Sequence, residues 1–579
     1  MADVDVVVIG SGAGGLTAAV ALAQAGKKVL VVEQHYLPGG WCHSFHLAGH
    51  RFSPGVHYVG EMGPGGRLRE IYEGLGLGED LELCELNPDG FDHVLLGAPG
   101  TSHIDRFDFP KGKDALARRL SERFPAERVG IHKYLDIVQR IADEMGALTT
   151  MTAASDLLGL PSRAPTLMRW GLRSLAALLE HCVSDPKLRA ILAAQAGDHG
   201  LPPSRAPAPL HAGVAAHYFD GGWYPRGGGG AIPRAMIRAL KRAGGDIRVR
   251  APVERILLER DARGSAGRGL GWRAVGVRLA GGEEVRAKTV LSNADPGLTF
   301  GRLVGKENLS RLLRFKLEQT RYGVSAISLF LAVDMDVRAA GLDSGNYWFY
   351  PNGDVEQAYR ETMTDWATAG RDAPGLFLTV TTLKDPSKPG KAGTHTMEAF
   401  ALAGYDSFAR WAETKQGERP AAYEALKVSL KDRLLASAER FVPGIRDHVV
   451  FSDVGTPLTN VHYVAAPKGN LYGTEKTLRH VGPLAFPVKT EIADLWLCGA
   501  STVAHGVMGA TFSGMVAARA ILGCRMSDLI RPGGVPIRLY PSEHPERWVD
   551  AKPFAPSAVE GRDRVLAGRR AQQEPVSGV

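Results

Sequence analysis

Asp5 is followed by Val6-Val7-Val8-Ile9, an apolar run with no polar alternation, the pattern of a strand buried on both faces. The glycine cluster Gly10-Ser11-Gly12-Ala13-Gly14-Gly15 follows at once, and Leu16 to Ala25 then reads as an alanine-rich helix ended by Gly26. A second buried strand, Lys28 to Val32, stops at Glu33. Mid-chain, Arg234 to Ala243 predicts a helix, closed by Gly244-Gly245 and followed by a strand through Val249. Near the other end, Leu495 to Cys498 predicts a strand turning at Gly499, and Phe512 to Ile521 another helix. Buried strands alternating with helices predict an α/β fold with a doubly wound sheet.

Gly10, Gly12 and Gly15 form a G-x-G-x-x-G between strand and helix, and Glu33 lies 18 positions beyond Gly15. In such a turn the first glycine makes the tight bend, the second lets a pyrophosphate approach, and the third lets helix pack on strand. The free N–H groups at the helix start suit phosphate charge. Glu33 can accept from ribose hydroxyls, and an acid there argues against a 2′-phosphate. A second glycine doublet, Gly39-Gly40, follows in Gln34-His35-Tyr36-Leu37-Pro38-Gly39-Gly40-Trp41. A simple NAD dehydrogenase has no need of it.

At 579 residues the chain exceeds one ordinary core and suggests two or three domains. Its 69 Lys+Arg against 62 Asp+Glu give +7, which permits an anionic membrane surface without selecting one. No nucleic-acid signature is present, so no nucleic-acid partner is expected. The five scattered cysteines contain no C-x-x-C, which disfavours a disulfide scaffold or zinc site and fits reduced cytoplasmic thiols. No apolar run is long enough to span a bilayer, and Asp3 and Asp5 sit where a signal peptide needs positive charge. Pro165 to Val183 predicts one amphipathic helix. Met168, Leu172, Leu175, Leu179 and Cys182 share one face, Arg169, Arg173 and Glu180 lie opposite, and Trp170 is a headgroup anchor. Peripheral membrane association is the corresponding expectation.

Several segments carry a resemblance. Phe52-Ser-Pro-Gly-Val-His57-Tyr58-Val-Gly60 and Gly469-Asn-Leu-Tyr-Gly473 look like segments of retinol saturases and carotenoid isomerase-like proteins. Tyr224 to Pro233, Pro252 to Ile256 and Val290 to Pro296 resemble the block by which carotenoid desaturases re-enter their FAD domain. Gly506-Val-Met508-Gly509-Ala510-Thr511 is similar to the family's terminal flavin loop.

The resemblance implies FAD in a glutathione reductase/amine oxidase-like Rossmann-type domain with a second α+β substrate domain. It implies a discontinuous FAD domain over 1–90, 225–310 and 445–530, a substrate domain over 91–224 and 311–444, and a C-terminal extension over 531–579. Expected cofactor contacts are Gly10, Gly12, Ala13, Gly14, Gly15, Glu33, Gln34, Gly39, Gly40, Trp41, Val253 (at the adenine), Asn293, Gly499, Met508, Gly509 and Ala510. The implied reaction is saturation, desaturation or redox-neutral isomerisation of double bonds in a lipophilic isoprenoid polyene, with the electron donor or acceptor undefined. A flavin amine oxidase and a non-catalytic prenyl-binding relative, like the Rab escort proteins, are the alternatives. The chain departs from the family where Ala500 and Ser501 replace an acidic residue, so a hydroxyl or the backbone is expected to meet the flavin there. Trp41 stands where amine oxidases usually carry Arg.

Hydride chemistry on a polyene needs a partner for the proton, and His57, Tyr58 and His505 are the acid/base candidates, with His462 and Tyr463 behind them. No metal site, nucleophilic triad or paired-carboxylate motif is legible. Gly227 to Gly230 lacks a preceding strand in this reading, so a dedicated NADPH domain is not expected.

Overall fold

The computed structural model describes residues 2–148, 160–261, 271–387, 391, 393–478 and 480–549. Of the C-terminal extension expected over 531–579, residues 550–579 lie outside them.

β1 (Val4–Ile9) and β2 (Val29–Val32) pair in parallel, and Val6 to Ile9 and all of β2 are buried. They are the centre of a seven-stranded sheet. Glu284–Ser292 flanks β1, Asp246–Arg248 flanks β2, and Leu495–Leu497 closes on Glu284–Ser292, all in parallel. A β-hairpin, Val253–Arg260 with Trp272–Leu279, extends one edge in antiparallel fashion. α1 (Ala13–Gln24) starts three residues before the helix read from the sequence, because its first turn recruits the glycine cluster. The ends of β1, β2, Glu284–Ser292 and Leu495–Leu497 run into Gly10, Glu33, Asn293 and Cys498. Ligands of open parallel sheets bind at these carboxyl ends.

A second seven-stranded sheet is mostly antiparallel. Its strands alternate strictly. Trp348, Phe377 and Phe400 face a layer of helices that includes Arg128–Leu148 and Ala208–His217. Tyr347, Phe349, Leu378 and Ala399 face the Ala421–Glu439 helix on the other side. This is the period of 2 that lets one strand serve two cores. Val449–Gly455 pairs with Ser325–Val333 at the edge of this sheet, although the reading from sequence grouped it with the FAD segments. Arg538–Pro541, in the C-terminal extension, pairs with Glu82–Glu85 and is built into the fold.

The expected amphipathic helix over 165–183 is two short helices, Pro165–Trp170 and Leu175–Cys182. Gly171 ends the first, and Ser174 caps the second through Ala177 N. The break splits the predicted apolar face. Leu175 and Leu179 are buried, whereas Met168 is 58% and Leu172 83% exposed. Trp170 is only 1% exposed, held beneath the guanidinium groups of Arg169 and Arg173 at 5.8 and 5.2 Å from its ring, so it cannot anchor in headgroups. Among the described residues no helix is long and apolar enough to cross a membrane.

Candidate active site

Between the two sheets lies one cavity of about 1270 Å³. At one end the two glycine turns face each other. A Cβ on Gly40 would lie 3.3 Å from Gly12 Cα, and Gly39, with φ of 123°, bends the chain as only glycine does readily. Ser11 ties the turns together: its Oγ donates to Glu33 Oε2 (2.6 Å) and accepts from Gly39 N (3.0 Å). Glu33 also accepts from Ser11 N and His35 N at 2.9 Å. Its carboxylate therefore holds the whole turn in shape and retains capacity for about one more bond, such as a ribose hydroxyl. Gly10, Gly12, Ala13, Gly14, Gln34, Gly39, Gly40, Trp41, Val253 and Asn293 all reach the cavity wall. Gly15 does not. A Cβ there would stand 2.3 Å from the Gly10 carbonyl oxygen, so its work is to pack helix against turn.

Two helix N-termini converge on the cavity. α1 begins at Gly12 with no side-chain cap and no acid in its first turn. Gly506–Leu522 begins at His505, likewise uncapped and without an acid. This helix starts at Gly506 rather than Phe512, so the expected flavin loop is its first turn, with Met508, Gly509 and Ala510 on the wall. The helices cross closely: a Cβ on Gly514 would lie 2.2 Å from Gly14 O. Gly509 meets Ala504, with atoms 2.6–2.9 Å from its would-be Cβ, so its smallness serves this packing. Gly499, with φ of 96°, lies against the Asn293 side chain. Ser501 Oγ is taken by Asp295 Oδ2 (2.8 Å) and Thr474 N (3.0 Å), so the expected hydroxyl contact to the ring is not available. The missing acid of the last strand has a neighbour in Asp295 instead, which lines the cavity.

These features fit FAD. Facing glycine turns leave room for a pyrophosphate, uncapped helix starts offer N–H groups to anionic atoms, and His35 Nε2 and His505 Nδ1 are buried on the wall without a partner. The glycine run Gly227–Gly230, by contrast, does follow a strand, Trp223–Pro225. Its N–H groups are nevertheless taken by Asp385, Ser53 and Ser44. No phosphate donors remain there.

The structure brings His57, Tyr58 and His505 to the same cavity. His57 Nδ1 lies 3.1 Å from Glu398 Oε2, and Glu398 Oε1 accepts from Ser53 N (2.6 Å). The imidazole packs beside the stacked pair Phe377 and Phe400, 5.0 and 5.4 Å from their ring centres. Lys384 donates to His57 O (2.6 Å) and to Asn346, and burial pushes its ammonium down to about 7. Tyr58 Oη reaches both Asp92 and Asp198, and burial with these carboxyls drives its phenol well above the ordinary value. Burial, aided by Lys476, lowers His505 to about 4, so it is neutral, and its Nε2 donates to Asp198 O (2.8 Å). Tyr463 borders the adenosine end beside His35, and the exposed His462 does not reach the cavity. Asp92, Asp198, Asp295, Lys384 and Glu398 were not singled out from sequence. For Glu398 and Asp92 a signal existed: each is a lone acid in an apolar strand.

A doubly wound sheet with a dinucleotide turn, a second helix N-terminus at the far side and a joined apolar cavity defines an FAD-dependent oxidoreductase. The flavin containing amine oxidoreductase family model matches residues 13–385. All-trans-retinol 13,14-reductase of Danio rerio is 32% identical over 541 residues, covering 90% of this chain and 86% of its own. Chloroplastic prolycopene isomerase of Daucus carota is 26% identical over 539 residues, covering 90% and 80%. The crystal structure of an oxidoreductase from Methanosarcina mazei shares the fold with a TM-score of 0.59 at 19% identity, over 88% of this chain and 99% of that one. The chain belongs to the flavin containing amine oxidoreductase family, on its retinol saturase and carotenoid isomerase-like branch, and its cofactor is FAD.

Proposed function

We propose that this flavoenzyme adds, removes or relocates hydrogen at carbon–carbon double bonds of a lipophilic isoprenoid polyene. The observation that carries the reading is the single cavity in which the flavin cradle opens onto an apolar wall of Trp348, Phe377, Phe400, Leu210, Val214 and Leu471. Such a wall stabilises a hydrocarbon chain by about 25 cal/mol for each Å² removed from water. When bound, FAD supplies two-electron hydride chemistry. The chain's own residues hold the cofactor, exclude water and manage protons, with His57 and Tyr58 at the junction of cradle and apolar wall. Relatives named for retinol reduction and for prolycopene isomerisation support both a reductive and a redox-neutral outcome.

The test is anaerobic incubation of all-trans-retinol and of prolycopene with the purified yellow protein, first oxidised and then reduced with dithionite. Chromatography should show a saturated or isomerised product. Both compounds returned unchanged from both redox states would overturn the reading.

An anionic bilayer is the proposed source of substrate. Met168 and Leu172 stand exposed among Arg163, Arg169 and Arg173. Pro165–Trp170 packs on Arg128–Leu148 and Ala208–His217, both of which reach the cavity wall.

A further inference from the structure

The short helix Ala194–Asp198 is pinned from several directions. Tyr350 donates to Ala194 O, Tyr472 to Gly197 O (2.6 Å), Gln195 Nε2 to Asp92 (2.8 Å) and His505 Nε2 to Asp198 O (2.8 Å). His505 is the residue that opens the flavin-side helix, so this last bond fixes Asp198 relative to the cofactor end of the site. The open part of the Asp198 side chain faces the cavity rather than bulk water.

Counting protons assigns its state. Tyr58 Oη lies 3.1 Å from Asp92 Oδ2 and 3.0 Å from Asp198 Oδ2, but a phenol has one proton to give. Asp92 also accepts from Gln195 Nε2 and Asn346 Nδ2 at 2.8 Å and from Trp348 Nε1 at 3.2 Å, a donor set that suits a carboxylate. The Asp198 carboxyl has no partner among the described residues except the Tyr58 oxygen. Two carboxylates on one buried tyrosine repel each other strongly. Both contacts of the Tyr58 oxygen are satisfied when Tyr58 donates to Asp92, and Asp198 keeps its own proton and donates it to the Tyr58 oxygen.

We propose that Asp198 is the catalytic acid of this site, a neutral carboxylic acid held by Tyr58 and Asp92 as positioning residues, which delivers its proton to a polyene carbon. This deepens the function proposed above and rests on it. The step moves one proton: the Asp198 O–H turns from the Tyr58 oxygen to the substrate and breaks, the π pair of a double bond forms a C–H bond, and the neighbouring carbon is left short of that pair. Return of a proton to Asp198 restores a double bond in either geometry, with no change in electron count. In a saturation the hydride at the second carbon is the reduced cofactor's to supply, and Asp198 regains its proton from water.

The pH dependence follows from what faces the group. Burial and then Asp92 raise Asp198 to about 8; burial raises Asp92 as well, but the donors Gln195, Asn346, Tyr58 and Trp348 oppose it there. Tyr58, Tyr218, Tyr350, Tyr359 and Tyr472 are all raised above the ordinary phenol value, and neutral His505 is near 4. The acid form is thus present at neutral pH and is lost as pH rises through about 8.

Infrared difference spectroscopy of the FAD-loaded protein tests this without substrate. A carboxylic-acid carbonyl band that shifts in D₂O should be present at mildly acidic pH, disappear as pH rises through about 8, and be absent from Asp198→Asn. Tyr58→Phe should keep the band and move its frequency, because the acid loses its acceptor. With a compound that the wild type turns over, all-trans-retinol or prolycopene, Asp198→Asn should lower turnover by about 100-fold or more and leave FAD content unchanged, and Asp198→Glu should restore part of it. A band unchanged in Asp198→Asn, no such band in wild type, or full turnover by Asp198→Asn each overturns the proposal. If the band behaves as described while neither compound reacts, the buried acid stands and the substrate reading falls.

Discussion

At Gly12 an added Cβ would lie 2.7 Å from Asn293 Nδ2, and at Gly15 it would lie 2.3 Å from the Gly10 carbonyl oxygen. A side-chain amide can swing aside, whereas a carbonyl inside the turn cannot. Gly12→Val should therefore yield folded protein with little or no FAD, and Gly15→Ala should lose about 3 kcal/mol or more of stability. Flavin absorbance per chain and a thermal melt separate the two outcomes. Glu33→Ala removes three donors' common acceptor as well as the proposed ribose contact, so FAD affinity should fall by at least about 1–3 kcal/mol, read by fluorescence titration. His57→Ala leaves the glycine turns untouched. It should retain FAD and lower turnover by about 100-fold, and normal turnover would remove His57 from the chemistry. The glycines were legible in the sequence because each local bend or close approach demands one. The partner of His57 was not: Glu398 lies 341 positions away, and only the sheet brings it there. Asp198 sits in a small-residue stretch with no periodicity, so its role emerges only from the groups around it.

The 165–183 segment shows what a helical wheel can miss. The pattern of apolar positions was real, but Gly171 and the Ser174 cap divide it, and the halves then serve opposite purposes. Leu179→Glu should unfold the helical layer, since it buries an unpaired charge. Leu172→Glu should leave the melting temperature within a few degrees and weaken flotation on anionic liposomes. Flotation equal to wild type would dismiss that edge as a lipid contact. At the other end, the sequence reading began the last helix six residues late, because Gly506 and Gly509 argue against helix by propensity. Packing outweighs propensity here: Gly514 and Gly509 allow approaches that larger residues forbid. Gly514→Val should force α1 and its neighbour apart, reducing FAD occupancy and stability together. Gly523→Ala, at a positive φ with open space around it, should cost only about 1 kcal/mol and keep the flavin.

The cavity wall proposed to hold FAD draws on segments from near both ends of the chain and from its middle, so the bound cofactor should behave as a structural member. At a free concentration of 100 times its dissociation constant it adds about 2.7 kcal/mol, and removal of FAD should lower the melting temperature by several degrees. An apoprotein that melts with the holoprotein would contradict this. The contact between Gly14 and Gly514 has a further consequence, in time rather than in space. About 480 residues separate α1 from the helix it must meet. At about 5–20 residues per second, a ribosome needs roughly 25–100 s to deliver the second after the first. Throughout that interval the nascent chain exposes an apolar helix face and a half-built nucleotide turn. Folding dominated by such distant contacts is slow. FAD should therefore be retained only after synthesis is almost finished, and products cut short before Gly506 should emerge colourless and sensitive to proteases.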